Sequence, residues 1–593
     1  MAGSQDGNLG LWSGYSAGDS GWATQMDANL DVLDALGQAV IINSTTTTPP
    51  SSPSNGDAYI IPTGATGAWS TEVGNIAAWQ HSAWAYYTPK AGWIVYDKSV
   101  NTQRVYNGTA WTLYQQFVSV KSFGAVGNDT ADDTAAITAA INYAQGLTYP
   151  CAVYFPAGYY KVTSALPNIT KGITLFGDGP RASQILFNGS TNQLAVMGSG
   201  TRASGVQFCD ISLCGTSQTS GFVVVVDWAQ DVLFQNTFIV NPYNGVSIRQ
   251  AGDTRFIDCL IDTVSGQYGV YAYATNTTRN GQNDEIDIII FTNTVVQSNY
   301  VAGGAANSTI LACFDGRVQT IQCDGLRLLN GGIGMQTLNS PGLAENLTPR
   351  FITGSSLEIE NMYQQTLNLQ YCREFWVDNL WSAGSATTDG ILLSSNVSHF
   401  RTNKGSINSH YLHGLNINGA TYVGVNNTTI FNNSLVGAGV KDGVYVLGSG
   451  IVTVMGGLCG KDTVLPSYTE NQKYGIDLDP GFTGIVCVKG VDLRGNNVGA
   501  IYDNGATAVG SSVSGCPGYN PIGATSITVG TSPFTYTSGL TSESIIISGG
   551  TVSSVTVGGV TVASASPASL VLPPRSSVIV TYSVKPTMSS VRF

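Results

Sequence analysis

Between residues 150 and 505 short β-type runs return every ~22–33 residues, with no helical segment between them. Examples are DVLFQNTFIV, TRFIDCLIDTV, IDIIIFTNTVV, VQTIQCDGLRLL, FITGSSLEIEN, REFWVDNLW, SHFRTNKGSI and NTTIFNNSLVG. Strands that recur without helices weigh against a βαβ sheet or a barrel of alternating strands and helices. What remains is a solenoid, most simply a parallel β-helix, in which each coil buries its face on the next. Most runs place an Asn or Asp two or three residues beyond an aromatic or Ile: Asn236, Asp258, Asn293, Asp324, Asp378, Asn403 and Asn433. Such a row can satisfy backbone groups at one corner of every coil.

An open end of a coil is an exposed edge and needs a cover. The alanine-rich stretch 132–144, starting at Asp132-Asp133-Thr134, predicts a short helix placed to plug the N-terminal end. Ahead of it, residues 57–112 hold five of the ten tryptophans, at 69, 79, 84, 93 and 111. A small β domain buries little surface, so these rings are expected first as its core and only second as sugar-stacking faces. STTTTPPSSPSNG, 44–56, reads as a linker, and Leu30, Leu33 and Leu36 predict one short helix before it. Asp27 or Asp31 is the expected acid near that helix's first turn. After 505 the repeat fades, and 545–562 and 577–584 alternate like the strands of an antiparallel sandwich.

Charge narrows the partners. Twenty-five Lys and Arg against 37 Asp and Glu leave a net charge of −12, with no basic cluster to meet a nucleic-acid backbone. No window of 18 apolar residues suggests a membrane span, and the N-terminus has neither the basic nor the apolar stretch of a signal peptide. The ten cysteines sit singly in apolar runs and read as buried free thiols. None has zinc spacing, and neither metal nor cofactor is expected.

FGAVGNDTADDTAAI, AVYFPAGYYKV and ITLFGDGPRASQI carry a resemblance. Gly124, Gly127, Asp129, Asp132 and Asp133, then Phe155-Pro156-Ala157-Gly158 with Tyr160, then Gly177-Asp178-Gly179, resemble the opening of the pectate-lyase-like superfamily as found in bacteriophage tailspikes. GDAYIIP, GAW and AGWIVYD are similar to a small domain of phage tail proteins, and CPGYNPIG, SPFTY and LPPRSSVIVTYSVKPTM to the C-terminal ends of capsule-directed tailspikes, notably of Acinetobacter phages. The resemblance implies an all-β chain built on a right-handed parallel β-helix, standing as a homotrimer in the virion tail. It further implies attachment to the tail or an adaptor protein through the N-terminus, and host capsular polysaccharide as the partner. The expected divisions are 1–45 for attachment, 46–115 for the Trp-rich domain and 118–145 for the cap helix. The β-helix then runs over 146–505 and a C-terminal β domain over 506–593.

The family includes hydrolases, lyases and pure binders, so the residues must choose. Glycoside hydrolysis needs two carboxylates. In SLEIEN, inward Leu357 and Ile359 would turn Glu358 and Glu360 outward together, about 6–7 Å apart, where like charge raises one pKa. Asp287 and Asp315 are the further catalytic candidates. Tyr363, Tyr371, Trp376 and Trp381 are the candidate sugar platform, with Arg373, Glu374 and Arg317 as polar contacts. An eliminating lyase would need a base beside a uronate. Between 172 and 403 there is no lysine, and the only histidine is His399, although arginines and tyrosines keep elimination open. The residues thus favour hydrolysis of capsular polysaccharide, with elimination or a non-enzymatic receptor-binding fibre as the alternatives.

Overall fold

The computed structural model describes residues 4–592 except 6–7, 17, 115–116, 148–150, 190–191, 276–277, 280–281, 302–303, 345–346, 462–469, 504–507 and 520–522. The chain divides into two units, Met1–Val126 with Ala135–Pro156, and Gly127–Thr134 with Ala157–Phe593.

In the first unit the helix spans Trp22–Leu36, starting well before the leucines that predicted it. It begins after Gly21, which has a left-handed φ of 85°, and no acid lies in its first turn. Leu30 and Leu33 are exposed while Gln25 and Asn29 are buried, the reverse of the expected leucine face. Asn29 accepts from the Trp12 backbone N–H at 2.6 Å and donates back to its carbonyl, which fixes that polar face inward. A three-stranded antiparallel sheet, Ala58–Ile60, Ile76–Gln80 and Ala83–Tyr87, stands with a four-stranded sheet that includes Ile94–Asp97, Thr102–Tyr106 and Trp111–Leu113. Trp69 is fully buried, 5.0 Å edge-on from Trp84 and 5.3 Å from Tyr59. Trp93 and Trp111 pack on a second small core around Ile41, Ile60 and Val95. The indoles therefore supply the interior that so few residues could not otherwise fill. A further helix covers Thr134–Gly146 and buries Ile137, Ala140, Ile141 and Ala144.

The second unit is a parallel solenoid. Every pairing from Gly158–Val162 onward to Ser512–Ser514 within the coils is parallel, and each strand pairs with the one a full coil later. Three faces result. The first carries Ile286–Thr292 and Tyr422–Asn426, the second Leu380–Ser385, and the third Ile310–Gly316, Leu415–Asn418, Val444–Leu447 and Tyr474–Leu478. Longer strands such as Leu367–Asp378 and Ile391–Asn403 run from the third face into the first. Inside, Phe208, Phe234, Phe256 and Phe291 stack at 4.8, 4.9 and 5.1 Å, and Phe375 on Phe400 at 5.0 Å. These distances match the spacing of paired strands, so one aromatic per coil builds a continuous column.

The polar row is real at the corner between the first and second faces. Asn236, Asp258 and Asn293 take left-handed φ there, and Asn236 donates to Asp210 at 2.6 Å and Asn293 to Asp258 at 2.7 Å. Farther along, the corner residues are Asn379, Lys404 and Asn427, one place after Asp378, Asn403 and Asn426. Asn433 is not part of this row. It is buried, accepts from the His410 N–H and donates to Gln472.

Beyond the coils two four-stranded antiparallel sheets face each other around Ile545, Ile547, Val555, Leu572, Val578 and Val580. Buried Glu543 is held there by Arg592 at 3.1 Å, the Tyr536 hydroxyl at 2.6 Å and the Gly539 N–H at 2.8 Å. All ten cysteines are free, seven of them buried.

Candidate functional site

The solenoid sends alternate side chains outward, and parallel register lines them up from coil to coil. On the first face, Phe375 points into the core and Trp376 points out, 45 % exposed. Register places Thr353, Trp376, Arg401 and Gly424 in one outward column, and Glu374, His399 and Tyr422 in the neighbouring one. Arg401 lies over the Tyr422 ring at 5.9 Å, and His399 is 5.8 Å from the same ring. Thr353, Gly354, Trp376, Asp378, Arg401, Asn403 and Asn426 line a groove of about 530 Å³. Gly424 follows Arg401 in the same column, and a Cβ there would stand 3.5 Å from both Arg401 Cγ and Thr453 Oγ1. The result is an indole face beside guanidinium, imidazole and phenol groups, suited to stacking on a sugar ring and neutralising a carboxylate.

The other expected residues are spread over the coil. Glu358 and Glu360 do turn outward between buried Leu357 and Ile359, but on the second face. Glu358 accepts two hydrogen bonds from Arg327, at 2.7 and 2.9 Å, and Trp381 follows it on the next coil, 42 % exposed. Glu360 lies opposite Leu329 and Ala383. Asp315 ends a third-face strand at 1 % exposure, accepting from the Ser340 N–H at 2.7 Å and the Tyr271 hydroxyl at 3.3 Å. Arg317 pairs with Glu285 at 2.5 Å, while Asp287 accepts from Gln319 at 3.3 Å. Tyr363 packs edge-on against Tyr300 at 5.9 Å. Half-buried Tyr371 sits at a register shift, and exposed Arg373 donates its N–H to Pro349. Of the expected set, only Trp376 lines the groove, and Tyr371, Arg373 and Glu374 share its strand, Leu367–Asp378. Arg401 and Tyr422 were not singled out from the sequence, because their nearness to Trp376 is set by coil register and not by chain spacing.

A second group on the third face also escaped the sequence reading. It is marked by a short repeat in which a polar residue and glycine open each strand: Asn244-Gly245, Tyr268-Gly269, Asp389-Gly390, His413-Gly414, Asp442-Gly443, Tyr474-Gly475. These glycines are required by close approach. A Cβ on Gly269 would sit 2.5 Å from the Leu311 carbonyl, and one on Gly443 2.8 Å from that of Gly475. The polar partners gather where the coils stack. His413 Nδ1 lies 3.3 Å from Asp442 Oδ2, its ring stacks on Tyr445 at 4.7 Å, and the Tyr445 hydroxyl donates to Asp479. Burial, with the charge of Asp442 next, pushes the Asp477 carboxyl up to about 6. Among the described residues no group of three or more His, Cys, Asp and Glu could hold a metal ion, and no helix is long and apolar enough to cross a membrane.

The coils form a parallel β-solenoid, part of which resembles a described family. Residues 117–310 match the family described as "Rhamnogalacturonase A/epimerase, pectate lyase-like". Residues 26–112 match "Protein of unknown function (DUF2793)". No curated protein matches the chain. Among solved structures, the A-module of Azotobacter vinelandii mannuronan C-5 epimerase AlgE6 is similar at 17 % identity, covering 68 % of this chain and 99 % of that one, with a TM-score of 0.42. Tailspike protein 3 of bacteriophage CBA120 is similar at 12 % identity, covering 70 % and 64 %, with a TM-score of 0.49. The Dettilon tailspike protein is similar at 13 % identity, covering 80 % and 94 %, with a TM-score of 0.43.

Proposed function

We propose that the chain is a subunit of a phage tailspike that binds an acidic bacterial surface polysaccharide along the first face and cleaves it by β-elimination. The observation that carries this reading is the exposed Trp376 in its groove, with Arg401, His399 and Tyr422 one and two coils away. A uronate ring stacks on Trp376 and its carboxylate pairs with Arg401, which acidifies the hydrogen on the neighbouring ring carbon. His399 removes that proton. The electron pair forms the C4–C5 double bond as the C4–O bond breaks, and the Tyr422 hydroxyl gives the leaving oxygen a proton. No water is consumed.

The match over 117–310 to the family described as "Rhamnogalacturonase A/epimerase, pectate lyase-like" supports action on a polysaccharide, and its pectate-lyase-like part agrees with elimination. The two-glutamate hydrolysis expected from SLEIEN has less support, because Glu358 is already engaged by two hydrogen bonds from the Arg327 fork. The trimer, the tail attachment through the N-terminal residues and the capsular origin of the polymer belong to the same proposal. The test is kinetic. His399→Ala is expected to lower kcat by ~10²–10⁴-fold on an acidic polymer, the usual range for a general base. Glu358→Gln is expected to leave kcat unchanged, and the opposite pattern would restore the two-glutamate reading.

A further inference from the structure

The groove on the first face holds an acid that the elimination reading does not use. Asp378 lines it together with Trp376 and Arg401, and its side chain is exposed. Acids near the same corner on earlier coils serve the fold. Asp258 accepts from Asn293 at 2.7 Å, and Asp324 accepts from the Ser355 N–H at 2.9 Å. Asp378 has no such duty. The corner of its coil is taken by Asn379, whose amide donates to the Ser355 carbonyl at 2.8 Å. Among the described residues no hydrogen bond or ion pair engages the Asp378 carboxylate. Arg401 is likewise exposed, and its guanidinium lies over Tyr422 and not against an acid.

Register sets Trp376 against Arg401 and Asp378 against Asn403. Asp378 and Arg401 are therefore diagonal neighbours on adjacent coils, with Cα atoms about 8 Å apart by strand rise and coil spacing. The Asp378 column continues as Asn403 and Asn426, which also line the groove. The indole is thus bordered by a guanidinium on the next coil and by a carboxylate and two amides along the corner. Glu374 and Lys404 flank these columns without lining the groove.

A groove of about 530 Å³ takes more than one sugar ring. When the carboxylate of one ring pairs with Arg401, a second carboxylate on the Asp378 side would set like charges together. A ring that presents hydroxyl or amide N–H donors there finds an acceptor in Asp378, and in Asn403 and Asn426 amides that accept and donate. A bare acid beside a cation is thus a repulsive element that sorts one polymer from another.

We propose that Asp378 is a specificity-determining residue: it selects a heteropolymer in which each uronate is followed by a sugar without a carboxylate, and it refuses runs of successive uronates. This deepens the reading of the groove given above and rests on it.

The test uses the full chain and acidic oligosaccharides of defined repeat. One set has uronates in succession, and the other has each uronate flanked by sugars that carry no carboxylate. Dissociation constants are read by titration calorimetry. The wild type is expected to hold the second set at least about tenfold more tightly than the first. Asp378→Asn is expected to bring the two sets within about threefold of each other, and Asp378→Lys to invert the preference, at an unchanged melting temperature. Should the lysine variant fail to fold, the isosteric asparagine decides alone. Trp376→Ala separates this inference from the reading beneath it. If that variant loses binding while the wild type holds both sets equally, or while Asp378→Asn keeps the wild-type preference, the role of Asp378 is overturned and the groove reading stands. If no oligosaccharide binds, or Trp376→Ala binds as the wild type does, both are overturned.

Discussion

Trp376 shows how one residue's direction sets what a coil can do. Its neighbours Phe375 and Val377 fill the interior, so the indole must face out, and nothing on the same strand covers it. A sugar stacked there would remove much of the ring from water. Trp376→Ala is therefore expected to weaken polymer binding by at least about tenfold, measured by affinity electrophoresis or calorimetry, with little change in melting temperature. YCREFWVDNLW marked Trp376 as a candidate for the sugar platform but left open whether its ring faces in or out. Its companions were not marked. Ladder hydrogen bonds join residues 35 apart at Asp258 and Asn293, 26 apart at Asp210 and Asn236, and 24 apart at Asn403 and Asn427. Because coil length varies this much, counting along the chain cannot place Arg401 beside Trp376, or reveal Arg327, 31 residues upstream, reaching Glu358.

At the scale of the element, the coil depends on close backbone contact and on a buried polar core. Gly269→Ala would press a methyl against the Leu311 carbonyl and Val296, and neither can yield without parting the coils. A loss of roughly 1–3 kcal/mol is expected, seen as a lower urea midpoint. His410 is a second case. It is fully buried, accepts the Ser385 N–H at Nδ1 and donates from Nε2 toward the Ser382 carbonyl, and burial lowers its pKa to about 3. The unfolded chain binds this proton near pH 6.5 and the folded one only near 3. The unfolded state therefore holds more protons between those values, and stability falls as pH drops through that window. Denaturant midpoints taken from pH 7 down to about 4 are expected to decline, with a shallower slope in His410→Gln. The recurrent strands, the polar corner and the tryptophan core were readable because each rests on local pattern. The N-terminal helix was misplaced because Asn29, not a leucine, anchors it.

For the whole molecule, the three faces of the solenoid can carry different chemistry without disturbing one another, since every outward column rests on the same stacked interior. The first face offers an aromatic groove with arginine, the second a surface where Glu358 is paired with Arg327, and the third a cluster of His413, Asp442 and Tyr445. The resemblance to pectate-lyase-like proteins was visible in FPAGYY and FGDG, where close packing constrains the residues. A Cβ on Gly158 would stand 2.8 Å from the Gly127 carbonyl oxygen, and Asp178 accepts from the Ala157 N–H at 2.8 Å. The choice of reaction was not visible, because it depends on which columns the coils bring together. The central claim is that the first face cleaves acidic polysaccharide by elimination. The most direct measurement is to incubate the full chain with a panel of uronate-containing capsular polysaccharides and follow polymer size together with the ultraviolet absorbance of the products. Shortened chains carrying an absorbing double bond at each new end are the predicted result. Shortened chains that have each gained a water and do not absorb, or polymers that bind at full length, would contradict it.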